Sequence, residues 1–398
     1  MGDQQVIILP IAYMMTGQWP VMVAALYFHI CGCCLIFAVK KKTMATILQQ
    51  PSLLCFSSAV EDIVFSTADE SGTLVLELTY GGETYEVINE TMYPSTDSTI
   101  TLCDLSSLLE PYARRVLQVT MNCSFTDQAG TVAIDPVTVL FSMADVGQSA
   151  LEFTSTHFLT ILDDAKMTAE GREERIYVYN HGNPVQEISV TAYVRMLSGV
   201  VNTLTADLPA NIVTDGITQF DVSPAAVILA IGLHDGSLLS YVVESGNRRQ
   251  EFRMMEEATP PAPVLLFTNS FGCQEFIYCT GTHKKDSKYD RQSTRMRGML
   301  RNYRIVENRQ FSANTGWLPA GMANWADELF RSEEVFLWDG GTPGREVVIT
   351  DSKSEISNDD DHMPAFEFTY SYAQRIHNVM QPAHAGRVFD NTFDYTFN

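Results

Sequence analysis

The chain has 398 residues, of which 45% are apolar and 10% aromatic, and it carries a formal charge of −22. That apolar content excludes a disordered chain, and the length exceeds one ordinary core, so two or three domains are expected. A surface this negative repels phosphates and excludes nucleic-acid binding by the molecule as a whole.

The first 43 residues stand apart from the rest. Val21 to Val39 is mostly apolar and is followed by Lys40, Lys41 and Lys42. Its length suits a membrane-spanning helix, and the positive-inside rule would then leave the remainder in the cytoplasm. A secretory signal would need its positive charge before the apolar run. A second reading remains open. Met44 opens MATILQQPSLLCF, the text of a natural start, and the lysine run implies an unbroken purine stretch upstream of it, as in a ribosome-binding site. Residues 1–43 are therefore either an anchor or translated upstream sequence.

From Met44 onward the text is written in period two, which sends side chains to alternate faces of a strand. The fold class expected is mainly β: several antiparallel β-sandwich domains, the last with one flanking helix. The first domain is placed at 44–145. Strands are expected over Glu61–Ser66 and Thr73–Tyr80. Gly81-Gly82 then makes a tight turn into Glu83–Ile88. Asp104 is expected to cap a short helix showing Leu105, Leu108, Leu109 and Tyr112 on one face, with Pro111 limiting its length. Val116–Phe125 returns to strand.

The second domain is placed at 146–257, with strands at Thr156–Leu162, Arg175–Tyr179 and Ile188–Val194, and a hairpin of Leu238–Glu244 with Arg249–Met254. Glu256–Pro263 reads as a linker, Pro-rich over 258–263 and too stiff for a helix or central strand. The third domain is placed at 264–398. Met322, Trp325, Ala326, Leu329 and Phe330 fall at helical spacing. Val335–Trp338 should pair with Val347–Thr350 across Gly340–Gly344. Phe366–Tyr372 and Thr392–Phe397 alternate rings with polar residues, as strands do.

The eight cysteines form no disulfide framework. Cys31, Cys33 and Cys34 lie in the apolar segment, and Cys55, Cys103 and Cys123 are scattered. Cys273 and Cys279 have the wrong spacing for a zinc knuckle. Buried free thiols in a reducing compartment are expected. Asp359-Asp-Asp-His362 lacks the ligand spacing of a calcium loop and reads as a solvated turn. His377 and His384 match no metal pattern, and pairs such as Asp163-Asp164 and Glu173-Glu174 are too common to imply glycosidase chemistry. No catalytic motif is present, so no enzyme activity, cofactor, metal or small-molecule substrate is expected.

One stretch departs from the acidic background. Lys284, Lys285, Lys288, Arg291, Arg295, Arg297, Arg301, Arg304 and Arg309 crowd one short segment. They read as an electrostatic docking surface for an acidic patch on another copy or a neighbouring subunit. The alternative is a solvated loop and strand edge whose charges block unwanted pairing. Only Tyr289 and Tyr303 interleave as stacking rings, which argues against nucleic acid.

Phe158-Leu-Thr160 with Lys166, Thr168, Gly171, Glu174 and Val178-Tyr179 resembles a group of uncharacterised phage and prophage tail-associated virion proteins of gut bacteria. Gln50–Leu54, Glu90–Pro94, Asp104–Leu109, Asn269–Phe271, Ile349–Asp351 and Phe366–Tyr370 look like the same group. The phrases are short and non-catalytic, and the segment before Met44 departs from the pattern. The resemblance implies a structural tail component in a virion, assembled in the bacterial cytoplasm, whose partners are further copies of itself and neighbouring virion subunits. It carries no functional residues with it. The other reading is a membrane-anchored β-sandwich binding module with ligand sites in its loops.

Overall fold

Alternating burial builds most of the sheets. In Gly72–Tyr80, Leu74, Leu76 and Leu78 are fully buried while the residues between them are half-buried. The computed structural model describes residues 44–182, 187–209, 213–257, 259–356 and 363–373. They form a mainly β protein of antiparallel sandwiches, the fold class expected from the sequence.

Nine strands occupy the first part: β1 (Thr46–Gln49), β2 (Leu54–Phe56), β3 (Ile63–Ser66), β4 (Gly72–Tyr80), β5 (Glu83–Met92), β6 (Thr99–Leu102), β7 (Gln118–Thr126), β8 (Thr131–Ala133) and β9 (Val137–Leu140). A sheet ordered β2-β9-β7-β4-β5, with β8 on β7, faces a three-stranded sheet β1-β3-β6. Phe65, Leu74, Leu76, Val119 and Phe125 fill the space between them. Gly81 and Gly82 adopt φ of 61° and 83°, so the β4–β5 turn needs the left-handed conformations that glycine gives freely.

Helix α1 (Leu105–Val116) buries Leu105, Leu109 and Ala113. Two expectations for it need correction. Asp104 sits at its N-terminus but caps no backbone N–H; its Oδ1 accepts from the Ser107 hydroxyl at 2.8 Å. Pro111 lies inside the helix without ending it. Its ring is exposed, and burial of Ala113 in the next turn holds the helix together despite the missing donor.

The second part contains β10 (Lys166–Thr168), β11 (Arg175–Asn180), β12 (Ile188–Arg195), β13 (Val201–Leu208), β14 (Gly216–Asp221), β15 (Ser237–Ser245) and β16 (Arg248–Met254). A β10-β16-β15-β12-β13 sheet packs on the β11-β14 pair over Val178, Val190, Tyr241 and Phe252. The strand expected at Thr156–Leu162 is absent. Helix α2 (Ala150–Thr156) ends there, capped by Ser149, and the chain then bends. Phe158 and Leu159 enter two different cores, which a strand's alternation would not produce side by side. Helix α3 (Pro224–Ile231) was not foreseen at all.

The third part holds β17 (Val264–Thr268), β18 (Gln274–Tyr278), β19 (His283–Met296), β20 (Met299–Asn314), β21 (Val335–Asp339), β22 (Thr342–Lys353) and β23 (Glu367–Tyr372). They form one sheet ordered β18-β17-β21-β22-β23-β20-β19. Helix α4 (Ala320–Ala326) and a 3-10 turn at Asp327–Phe330 cover its core, with Trp325 and Leu329 fully buried. The β21–β22 hairpin turns at Gly340-Gly341, so strand pairing resumes at Thr342, earlier than expected. Short parallel pairs, β2 with β9 and β10 with β16, lie at sheet edges.

A shared aromatic cluster ties the three parts. Phe56 from β2 and Phe153 from α2 have ring centroids 5.7 Å apart, and Phe153 stacks on Phe271 of the third part at 5.2 Å. The Val21–Val39 segment and the Thr392–Phe397 strand lie outside the described residues. Among the described residues no helix is long and apolar enough to cross a membrane.

Candidate docking arm

The basic stretch forms most of one long hairpin. β19 has 14 residues and β20 has 16, joined at Arg297-Gly298. Pairing with the rest of the sheet ends early, since β23 meets β20 only over Phe311–Asn314. From Asp286 to Gln310 the two strands have only each other as ladder partners among the described residues, although Gln310 Nε2 still donates to the Thr350 and Thr369 hydroxyls at 3.2 Å. At ~3.3 Å per residue, the part beyond the sheet is roughly 35 Å long.

The root of this arm is rigid. His283, Phe311, Tyr370 and Tyr372 form a ladder in which Phe311 stacks on Tyr370 at 5.0 Å. His283 Nε2 lies 2.8 Å from the Tyr370 hydroxyl, and burial pushes that phenol above its ordinary range. Arg309 is buried beside this ladder and donates to Glu307 through Nε at 3.0 Å and Nη2 at 2.7 Å. The Arg309 guanidinium in turn holds the Glu307 carboxyl below its usual range. Arg309 is therefore committed to the root, unlike the rest of the basic set.

Lys285 is half-buried, and Lys284, Lys288, Arg291, Arg295, Arg297, Arg301 and Arg304 are exposed. None of these seven makes an ion pair among the described residues; Arg291 lies over the Tyr289 ring at 5.0 Å. Strand alternation and the register place Lys285, Arg291 and Arg295 on one face, and Lys284, Lys288, Arg304 and Arg301 on the other. Met296, Met299, Leu300, Tyr303 and Ile305 are exposed among them, Leu300 at 70%. Sequence reasoning found the charge of this segment but missed its form and its apolar tip. Both strands lack the alternation that marks a half-buried strand.

A second polar assembly lies inside the molecule. Lys166 and Glu174, both buried, approach to 2.7 Å, and the Lys166 ammonium sits 4.4 Å from the centroid of Trp325. Trp325 Nε1–H donates to Glu275 Oε2 (2.7 Å), and Asn269 Nδ2 donates to Glu275 Oε1 (2.6 Å). Glu328 lies beside them. Burial first, and then the charge of Glu275, pushes its carboxyl up to about 7. This seam joins the second sheet to the third. A cleft of about 1080 Å³ opens nearby, lined by Arg172, Glu173, Glu257, Tyr278 and Trp338.

The described cysteines are free thiols: Cys55, Cys123, Cys273 and Cys279 are buried, but Cys103 is exposed. Burial pushes the Cys55 and Cys123 thiols up to about 12. Among the described residues no group of His, Cys, Asp and Glu is placed to hold a metal ion. Asp359–His362, His377 and His384 lie outside the described residues.

No protein-family model matches the chain, and no curated protein does. Solved structures with some likeness include the N-terminal four Ig domains of Dscam1 isoform 7.44, at 10% identity and a TM-score of 0.16 over 68% of this chain and 73% of that one. The full extracellular region of Plexin A4 is similar at 8% identity and the same TM-score of 0.16, over 83% of this chain and 36% of that one.

Proposed function

We propose that this chain is a building block that self-associates through its β19–β20 arm, and that it serves as a structural component of a phage or prophage tail. The arm carries the reading. A two-stranded ribbon is marginal in water by itself, and one that exposes unpaired cations and large apolar side chains gains most when a partner covers it. The rest of the chain is acidic, so another copy presents the complementary charge. The tail assignment rests on the resemblance of the short phrases at Phe158–Tyr179 and elsewhere, and the arm is what such an assembly would need.

The test has two arms. Reversing Lys284, Lys288, Arg291, Arg295, Arg301 and Arg304 to glutamate in the full chain should leave the unfolding midpoint near that of the parent and abolish its concentration-dependent sedimentation. Unchanged association would rule out the arm. For the tail assignment, particles purified from the encoding strain should contain this chain by mass spectrometry; its absence from them would remove that part of the reading.

A further inference from the structure

We propose that the outer strand of the arm, β19, adds to the free edge of β5 in a second copy of this chain, joining copies head to tail. The inference rests on the reading that the arm mediates self-association, and it names the surface the arm meets. Both strands are sheet edges: among the described residues β5 pairs only with β4, and β19 only with β20. Each therefore presents a row of backbone N–H and C=O groups that a further strand can satisfy.

Charge then selects between edges. β5 carries Glu83, Glu86 and Glu90 and no Lys or Arg, whereas β19 carries Lys284, Lys285, Lys288, Arg291 and Arg295 against Asp286 and Asp290. Of the other long edges, β13 has Asp207 as its single charge, and the part of β20 that β23 leaves unpaired, Met299–Gln310, is basic with Arg301, Arg304 and Arg309 against Glu307, so neither offers β19 an acidic row to match that of β5. Two β19 edges repel one another, as do two β5 edges, and only the mixed pair is attractive.

A second feature of β5 points the same way. Glu86 stands directly opposite Glu77 of β4, and all three acids of β5 are exposed. Like charges facing each other across a ladder destabilise the free sheet. A cation on a strand added beside β5 would neutralise that pair, so the isolated subunit holds a repulsion that docking relieves. Because the two edges belong to different sheets, the contact joins unlike surfaces and can repeat from copy to copy into a ring or a filament.

The experiment uses two full-length variants, Glu83→Lys/Glu86→Lys/Glu90→Lys and Lys288→Glu/Arg291→Glu/Arg295→Glu, in sedimentation velocity at physiological salt. Each alone should associate at least about tenfold more weakly than the parent, since its own two edges now carry like charge. Mixed in equal amounts, they should regain the parent's assembly size, because each arm again meets an edge of opposite sign. If the β5 variant alone assembles normally while the β19 variant does not, the arm docks elsewhere and the inference fails with the arm reading intact. Two monomeric variants that do not recover on mixing also overturn it. If the β19 variant assembles like the parent, the arm reading itself falls. Should a lysine or glutamate set disturb folding, the corresponding glutamine sets test the same loss without reversal.

Discussion

Trp325 sits where three kinds of interaction meet: the Phe267 ring at 5.7 Å, the Lys166 ammonium above its face, and Glu275 accepting from its indole N–H. Trp325→Ala would open a large cavity and leave Glu275 short of one donor. A loss of roughly 3–5 kcal/mol is expected. Denaturant unfolding followed by circular dichroism checks this, and a loss below about 1 kcal/mol would mean that the helix is not held by this ring. Nearby, Glu328 couples the same region to pH. Burial pushes its folded carboxyl up to about 7 from an ordinary 4.5. Between those values the folded chain keeps a proton that the unfolded chain has shed, so stability falls as pH rises across the window. With one unit worth ~1.4 kcal/mol, the full effect is on the order of 3 kcal/mol. Glu328→Gln keeps an oxygen for the Ser270 N–H and removes the ionisation. It should flatten the stability profile between pH 5 and 7 and exceed the parent above it. An unaltered slope would assign the pH dependence to other groups.

Among elements, the ones legible in the sequence share a cause. β4, β7, β12 and β16 alternate because one face is buried, and the Gly81-Gly82 turn and the β15–β16 turn at Gly246 place glycine at positive φ. The helix at Met322–Phe330 was legible because its buried residues recur at helical spacing. α3 was missed because Pro224–Ile231 is apolar throughout and shows no period; its start at Ser223-Pro224 and its stop at Gly232 were the available signals. Thr156–Leu162 imitated a strand because its apolar residues serve two cores at once. The arm's strands were readable only as charge. Their partner was not readable at all, since the acids of β5 acquire meaning only once β4 places Glu77 opposite Glu86. That pair makes its own prediction. Glu86→Gln should raise the stability of the free subunit by about 0.2–1 kcal/mol, Glu77→Gln by a similar amount, and the double substitution by less than their sum. Full additivity in thermal unfolding would mean that the two carboxylates do not interact.

At the scale of the whole molecule, charge is divided: a formal −22 overall, with the exposed cations Lys284, Lys288, Arg291, Arg295, Arg297, Arg301 and Arg304 on one projecting ribbon. Like charge over the bodies keeps copies apart, while the arm can reach an acidic edge ahead of its own body. Association of this kind must depend on salt. Screening shortens the range of exposed charges from about 30 Å at 0.01 M to about 3 Å at 1 M. The assembly should therefore weaken by at least about tenfold across that range, with the association rate falling more than the dissociation rate rises. The apolar tip should set a limit to this fall, because Met296, Met299, Leu300 and Tyr303 are exposed in the free subunit and their burial in a contact would not be screened by salt. Leu300→Ser with Tyr303→Ser should leave the salt slope unchanged and lower the association at every ionic strength. Light scattering across a salt series separates the two contributions: a flat series for the parent would mean that the ribbon docks through its apolar side chains, with the cations serving only to keep the arm soluble.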